Sequence, residues 1–147
     1  MPDDAPRPLD DPSAATPLAG TLTPEQMALV LGHLPVDVSV MDAKHALVYW
    51  RGPTFEDCED EYIGRHVDDC HNAQSNVSIA KMIETFTAGT RDEEVFWHVE
   101  DGHQKVVRYA ALRDADGTYR GMMETIIDVT ALDGFKGKGS TLEGYRA

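Results

Sequence analysis

Three residues able to ligate a metal or carry redox chemistry lie within one short stretch: His66, Cys70 and His71. The spacing H-x3-C-H can bring His66 and Cys70 to one side of a turn, and imidazole and thiolate both suit zinc or iron. A four-coordinate zinc site needs a further donor, for which His98 and His103 are the candidates. Heme needs less, a single axial His or Cys and an apolar pocket. His71, just ahead of an apolar helical run, is the candidate axial ligand, with Cys70 as the alternative. Ile79, Met82, Ile83, Phe86, Trp97, Met123, Ile126 and Ile127 are candidate walls. Two other readings of the same residues stand beside these. Cys70 can act as a redox sensor if His71 lowers its thiol pKa. Alternatively, His71 bonds a backbone carbonyl and Cys70 packs as a small hydrophobe.

Catalytic constellations are scarce. Asp68 and Asp69 are adjacent, so in extended chain they point apart and make a poor acid/base pair. The sequence holds no G-x-S-x-G, no P-loop and no dinucleotide fingerprint. The glycines near the C-terminus lack the strand-to-helix setting of a phosphate cradle. No enzyme activity is expected, and a small metal-dependent enzyme is the one catalytic alternative.

The chain of 147 residues suits one domain, with 13 Lys+Arg against 26 Asp+Glu and a net charge of −13. Such a surface repels nucleic acid and anionic membranes, so neither is an expected partner. Two cysteines, Cys58 and Cys70, do not make a disulfide framework. No run of 18 apolar residues offers a membrane span, and the acidic, Pro-rich start is unlike a signal peptide. A cytoplasmic location is expected.

Residues 1–20 are rich in Pro and Asp and poor in large apolar groups, so a disordered tail is expected there. A helix over 21–34 follows, with Thr23 as cap, Pro24 at its first position and Gln26 completing a capping box. Val36, Val38 and Val40 alternate with Asp37 and Ser39, and Leu47–Trp50 is a second short strand. A helical turn at Glu56–Tyr62 and a solvated acidic run at Glu56–Glu61 come next. Ser75 or Asn76 can cap a helix whose Ile79, Met82, Ile83 and Phe86 form one stripe, and Gly89 stops it. Three strands complete the chain, Glu93–Glu100, Lys105–Arg113 and Thr118–Asp128. Trp50 and Trp97 are expected in the core, while His98 and His103 flank an exposed turn. The order β-β-α-α-β-β-β indicates an α+β fold, with helices on one face of an antiparallel sheet.

The last hairpin allows a sharper expectation. Ala115, Asp116 and Gly117 suit a three-residue loop with Gly117 in the left-handed region. That loop pairs Asp114 with Thr118, and counting back places Arg108 opposite Glu124. A cross-strand ion pair in mid-sheet is therefore predicted, worth about 0.2–1 kcal/mol if exposed. If it faces a cavity, it would orient a ligand or the helices.

The opening strand pair, the Gly64-Arg65 step, the Ile79–Phe86 helix and the closing Asp128-Val129-Thr130 together resemble the PAS family of sensory domains, over roughly Thr23 to Leu132. A narrower likeness lies in GRHVDDCH and VRYAALRDADGTYRGMMETIIDVT. These are similar to the PAS module that accompanies hemerythrin-like domains in uncharacterised bacterial proteins. In that group a Cys-His pair follows the Gly-Arg step, here Cys70 and His71, and an Arg and a Glu on the last two strands land on Arg108 and Glu124. Asn72 replaces the usual Pro. No hemerythrin-like bundle is expected from residues 1–34, and Gly134, Gly137 and Gly139 are expected to interrupt any long helix after Leu132.

The resemblance implies a five-stranded antiparallel PAS-like sheet with helices enclosing a small cavity, plus the N-terminal helix. PAS cargo ranges over heme, flavin, small organic acids or nothing, so the fold does not name it. Heme-binding relatives usually carry their His within the long helix, where Ile79–Phe86 has none. The flavin motif is poorly matched by Asp68-Asp69-Cys70-His71-Asn72. The expected organisation is a tail at 1–20, a helix at 21–34, a sensor domain at 35–132 and a Gly-rich tail at 133–147. The expected function is a sensor that binds a small molecule or heme, or responds to redox through Cys70-His71. It would shift helix packing, reported by Met27–Leu34 or by the sheet's outer face, and act as a homodimer or through a separate signalling partner. The competing expectation is a structural dimerisation module without ligand.

Overall fold

In a computed structural model, residues 20–53 and 60–134 are described. The chain falls into two units, residues 1–34 and 35–147. In the first, α1 spans Pro24–His33. Its start is built by the capping box, in which the Gln26 amide donates to Thr23 Oγ1 at 3.2 Å and the Thr23 amide donates to Gln26 Oε1 at 2.9 Å. None of its residues is buried.

The second unit holds β1 (Asp37–Asp42), β2 (Leu47–Arg51), 3-10 turns at Asp60–Tyr62 and Val67–Cys70, α2 (Ala73–Ala88), β3 (Glu93–Glu100), β4 (His103–Arg113) and β5 (Tyr119–Asp128). The five strands form one antiparallel sheet in the order β2-β1-β5-β4-β3. The α+β fold expected from the pattern is the one observed. Because the chain leaves the sheet at one edge, β2, and returns at the other, β3, the intervening segment must cross a face. Helical spacing puts Ile79, Met82 and Phe86 on the buried side of α2, where they join Met41, Leu47, Val67, Val107, Tyr109 and Met122 in one core. Phe86 and Met122 have no exposed surface, so they are the centre of this core.

Local chemistry sets the limits of α2. Asn72, rather than Ser75 or Asn76, is its N-cap and accepts from the Ser75 amide at 2.9 Å. Gly89 adopts φ 71° at the C-terminus. Arg113 of β4 then donates to the Phe86 carbonyl at 2.6 Å and to Asp92 at 2.7 Å, fastening the helix end to the sheet. The Asp128-Val129-Thr130 motif closes β5. Asp128 Oδ1 accepts from the Thr130 amide and hydroxyl, and Thr130 Oγ1 in turn accepts from the Gln104 amide of β4 at 2.8 Å. These bonds, with His103 at 2.6 Å, hold the Asp128 carboxyl down at about 2.

The β4–β5 register corrects one expectation. The loop is as predicted, with Gly117 at φ 79° and the Asp114 amide donating to the Thr118 carbonyl at 3.1 Å. Arg113 pairs with Tyr119, but the next pair is Leu112 with Gly121. Arg120 is the extra residue of a bulge, which shifts everything beyond it by one. Tyr109, not Arg108, lies opposite Glu124, and Arg108 lies opposite Thr125. Since side chains alternate, Arg108 moves to the outer face, where it pairs with Glu93 at 2.5–2.8 Å.

Trp97 is a second correction. It is 78% exposed on the outer face rather than in the core. The expected turn at Glu56–Tyr62 is a 3-10 turn at Asp60–Tyr62, while residues 56–59, including Cys58, lie outside the described residues. No helix among the described residues is long and apolar enough to cross a membrane.

The bulge needs its glycine. Gly121 has φ 140°, and a Cβ there would lie 2.1 Å from the Met41 carbonyl oxygen of the neighbouring strand. Gly121→Ala is expected to destabilise the domain by about 2 kcal/mol or more, read as a lowered urea midpoint with an unchanged slope.

Candidate functional site

The centre of the sheet carries a polar row on its inner face. Trp50 of β2, Ser39 of β1, Glu124 of β5 and Tyr109 of β4 are successive lateral partners. Lateral partners share a face, so four strands bring these side chains side by side. Glu124 is the hub. Ser39 Oγ donates to its Oε2 at 3.0 Å and Tyr109 Oη donates to its Oε1 at 2.6 Å. Ser39 and Tyr109 are 6% and 4% exposed, so both hydroxyls are withdrawn from water and each needs a partner. Burial, with the Glu124 charge beside it, drives the Tyr109 hydroxyl pKa far upward, so it stays a donor. Phe96 of β3 stacks on its ring at 6.1 Å.

A cavity of about 370 Å³ opens against this row. Ser39, Met41, Leu47, Trp50, Glu124 and Ile126 line it from the sheet, and Tyr62, Val67, Asp69, Cys70 and His71 from the connection. The connection is strapped to the edge of β2. The Leu47 amide donates to the Arg65 carbonyl at 2.9 Å, the Gly64 amide to Leu47 at 2.7 Å, and the Val67 amide to His45 at 2.9 Å. His66 then caps the Val67–Cys70 turn, accepting from the Asp68 amide at 3.3 Å. On the far side, Asn76 of α2 donates to the Asp68 carbonyl at 2.9 Å. The turn that faces the cavity is thus held by the sheet edge and by α2 together.

His71 and Cys70 do line the cavity, and His71 bonds a backbone carbonyl, as one of the expected readings had it. His71 Nδ1 donates to the Val67 carbonyl at 3.0 Å. That bond places the proton of the neutral ring on Nδ1 and leaves Nε2 as an acceptor. Cys70 carries a free thiol. Redox sensing required a lowered thiol pKa, yet burial first, and the Asp69 charge second, push it up. The four histidines and the cysteine weighed for zinc have separate surroundings. His66 is turned to Asp68 and packs edge-on against His45, His98 is exposed, and His103 bonds Asp128. Among the described residues no group of three or more His, Cys, Asp or Glu is placed to hold a metal.

Heme also fits poorly. The lining carries the carboxylates of Asp69 and Glu124 and, among the described residues, no Lys or Arg to pair with two anionic propionates. The helix residues expected as walls, Ile79, Met82, Ile83 and Phe86, are packed into or against the core instead. Of the other expected walls, Ile126 lines the cavity, whereas Met123 and Ile127 lie on the outer-face rows of Ala110 and Val106. Arg108 is excluded by the register, while Glu124 is present at the centre. Sequence reasoning missed Ser39, Tyr109, Tyr62 and Asp69, and placed Trp50 only in the core. The usable signal was a Ser in an apolar strand, which is buried here with both faces of β1 covered.

The Ser39–Glu124–Tyr109 network predicts a measurable coupling. Tyr109→Phe is expected to cost about 1 kcal/mol, because one Glu124 oxygen loses its donor. The loss should shrink when Glu124 is already Gln, as a double-mutant cycle of denaturant midpoints would show.

Comparison with known proteins supports this architecture. The profile of the PAS domain family matches residues 27–130. No curated protein sequence matches the chain. Among solved structures, a C-terminal domain from Streptococcus mutans is 28% identical, with TM-score 0.71 over 80% of this chain and 94% of that one. The PAS domain of Bordetella pertussis BvgS is 15% identical, with TM-score 0.56 over 72% and 85%. A sensory box sensor histidine kinase from Vibrio cholerae is 13% identical, with TM-score 0.52 over 71% and 90%.

Proposed function

This chain belongs to the PAS domain family, and on that premise we propose that it is a non-enzymatic sensory domain whose input is a small molecule bound in the cavity at Glu124. One observation carries the reading. A cavity of about 370 Å³ separates the polar row of the sheet from the Val67–His71 turn that leads directly into α2. That volume is at the small end of ligand sites. A molecule there touches the sheet on one side and the lead into α2 on the other, so occupancy is converted into a shift of α2 against the sheet. Among the solved structures of this fold is a sensory box sensor histidine kinase from Vibrio cholerae, which agrees with a signalling role. The narrower likeness to modules that accompany hemerythrin-like domains rests on Cys70, His71, Arg108 and Glu124. A cytoplasmic setting goes with the free Cys70 thiol, and the signal would pass to a separate protein.

Trp50 provides the test. The chain has two tryptophans, and in Trp97→Phe only Trp50, in the cavity wall, remains to report. A screen of small amines, acids and neutral compounds is expected to yield ligands that shift Trp50 emission. Ile126→Phe, which fills the cavity, should abolish the shift. A folded Trp97→Phe protein whose emission responds to no compound in the screen sinks the reading.

A second reading, association through the sheet, draws on the outer face. Trp97, Val106 and Ile127 form one lateral row there, and Val95, Trp97, Val99 and Ile127 are all exposed. Two copies can pair such a face isologously, giving a homodimer. Light scattering should then show the mass halved in Trp97→Glu; an unchanged mass, dimeric or monomeric in both proteins, argues against this route.

A further inference from the structure

We infer that the cavity takes an organic cation, a protonated amine carried on a small apolar or aromatic body. This deepens the ligand-site reading and rests on it.

The polar side chains on the wall set the complement. Ser39 on the wall and Tyr109, the lateral neighbour of Glu124, are hydroxyl donors, but each already donates to Glu124, one to each carboxylate oxygen. A carboxylate oxygen can accept more than one hydrogen bond, so Glu124 keeps acceptor capacity toward the cavity. Asp69 adds acceptors only. His71 is already engaged through Nδ1, which donates to the Val67 carbonyl. Trp50 and Tyr62 carry an N–H and an O–H on the same wall, but its carboxylates are acceptors only, and the group that complements them is an ammonium, which brings donors and no acceptor.

Charge points the same way. Glu124 has two neutral hydroxyl partners and, among the described residues, no ion pair. The arginine nearest in register, Arg108, is on the other face and bound to Glu93. Glu124 and Asp69 are therefore charges of one sign on a wall with no described Lys or Arg. Taking a second anion out of water beside them is costly, whereas a cation forms a charge-assisted bond. The remaining wall suits the body of such a molecule. Trp50 and Tyr62 meet edge-on at 5.6 Å; Arg65 already lies over the Tyr62 ring at 5.1 Å, which leaves Trp50 as the ring face to attract a ligand cation. Met41, Leu47, Val67 and Ile126 complete an apolar lining.

The test uses the ¹⁵N-labelled full chain at neutral pH and three probes of similar shape: 2-phenylethylamine, which is cationic, 2-phenylethanol, which is neutral, and 3-phenylpropionate, which is anionic. Expected are amide shifts at Ser39, Cys70, His71 and Glu124 with the amine, and binding about ten-fold or more tighter than the alcohol. The propionate should leave these amides unmoved. Glu124→Gln should weaken the amine about ten-fold and leave the alcohol unchanged. Alcohol or propionate binding in the cavity as tightly as the amine overturns the cation while leaving a ligand site in place. Equal loss of amine and alcohol in Glu124→Gln assigns Glu124 to structure alone and also overturns it. Failure of all three probes to move any cavity amide overturns this inference; the Trp50 screen separately decides whether the cavity is a ligand site. If Glu124→Gln does not fold, the three-probe comparison on the native chain decides the matter.

Discussion

One extra residue in β5 governs what the inner face of the sheet presents. Side chains on a strand alternate with a period of two, so an insertion exchanges the faces of everything beyond it. The bulge at Arg120 and Gly121 sits just after the hairpin, and the whole of β4 from Leu112 back is read in the shifted register. Its effect is to set Tyr109 beside Glu124 and to send Arg108 outward. Without it, Glu124 would face an arginine and its charge would be matched within the protein. With it, the carboxylate is held by two neutral hydroxyls at the edge of a cavity.

The same bulge requires close approach of two backbones. Gly121 lies against the Met41 carbonyl with no room for a side chain, and Met41 is itself part of the core and the cavity wall. Core packing and site geometry are therefore linked through a single strand contact. The Val67–His71 turn is linked to the sheet in a different way, by backbone bonds along the edge of β2 and by Asn76 of α2. A row of side chains on the sheet faces a turn held by hydrogen bonds to the sheet edge and to α2. Val67 at the start of the turn is itself a buried member of the core, so the turn is anchored by packing as well.

The local elements were legible in the chain. Gly89 stops α2 because only glycine takes the left-handed conformation there without strain, and Gly117 serves the β4–β5 loop in the same way. The Ile79, Met82, Ile83 and Phe86 stripe was read correctly as an inward face, but a stripe says nothing about whether it packs on a core or borders a cavity. Here it packs. Glu124 was legible as an acid in an otherwise apolar strand. Tyr109 was not, because a tyrosine in a central strand is ordinarily a core residue. Trp97 was misplaced since a tryptophan is usually buried, and its exposure follows from its position on the outer face of the edge strand β3.

Composition, glycine and capping positions and apolar periodicity are properties of short segments. By themselves they determined the order of strands and helices, the α+β class and the hairpin at Asp116-Gly117. The choice of which residues share a space depends on contacts between segments far apart in the chain. Ser39 and Glu124 are 85 residues apart, and their meeting depends on a strand order in which β1 lies beside β5. The bulge register, the outward turn of Arg108 and the placing of Cys70 and His71 on the same cavity as Glu124 were decided only in the tertiary structure. A local pattern fixes the direction of a side chain relative to its own strand, and the partner it meets is set by the sheet.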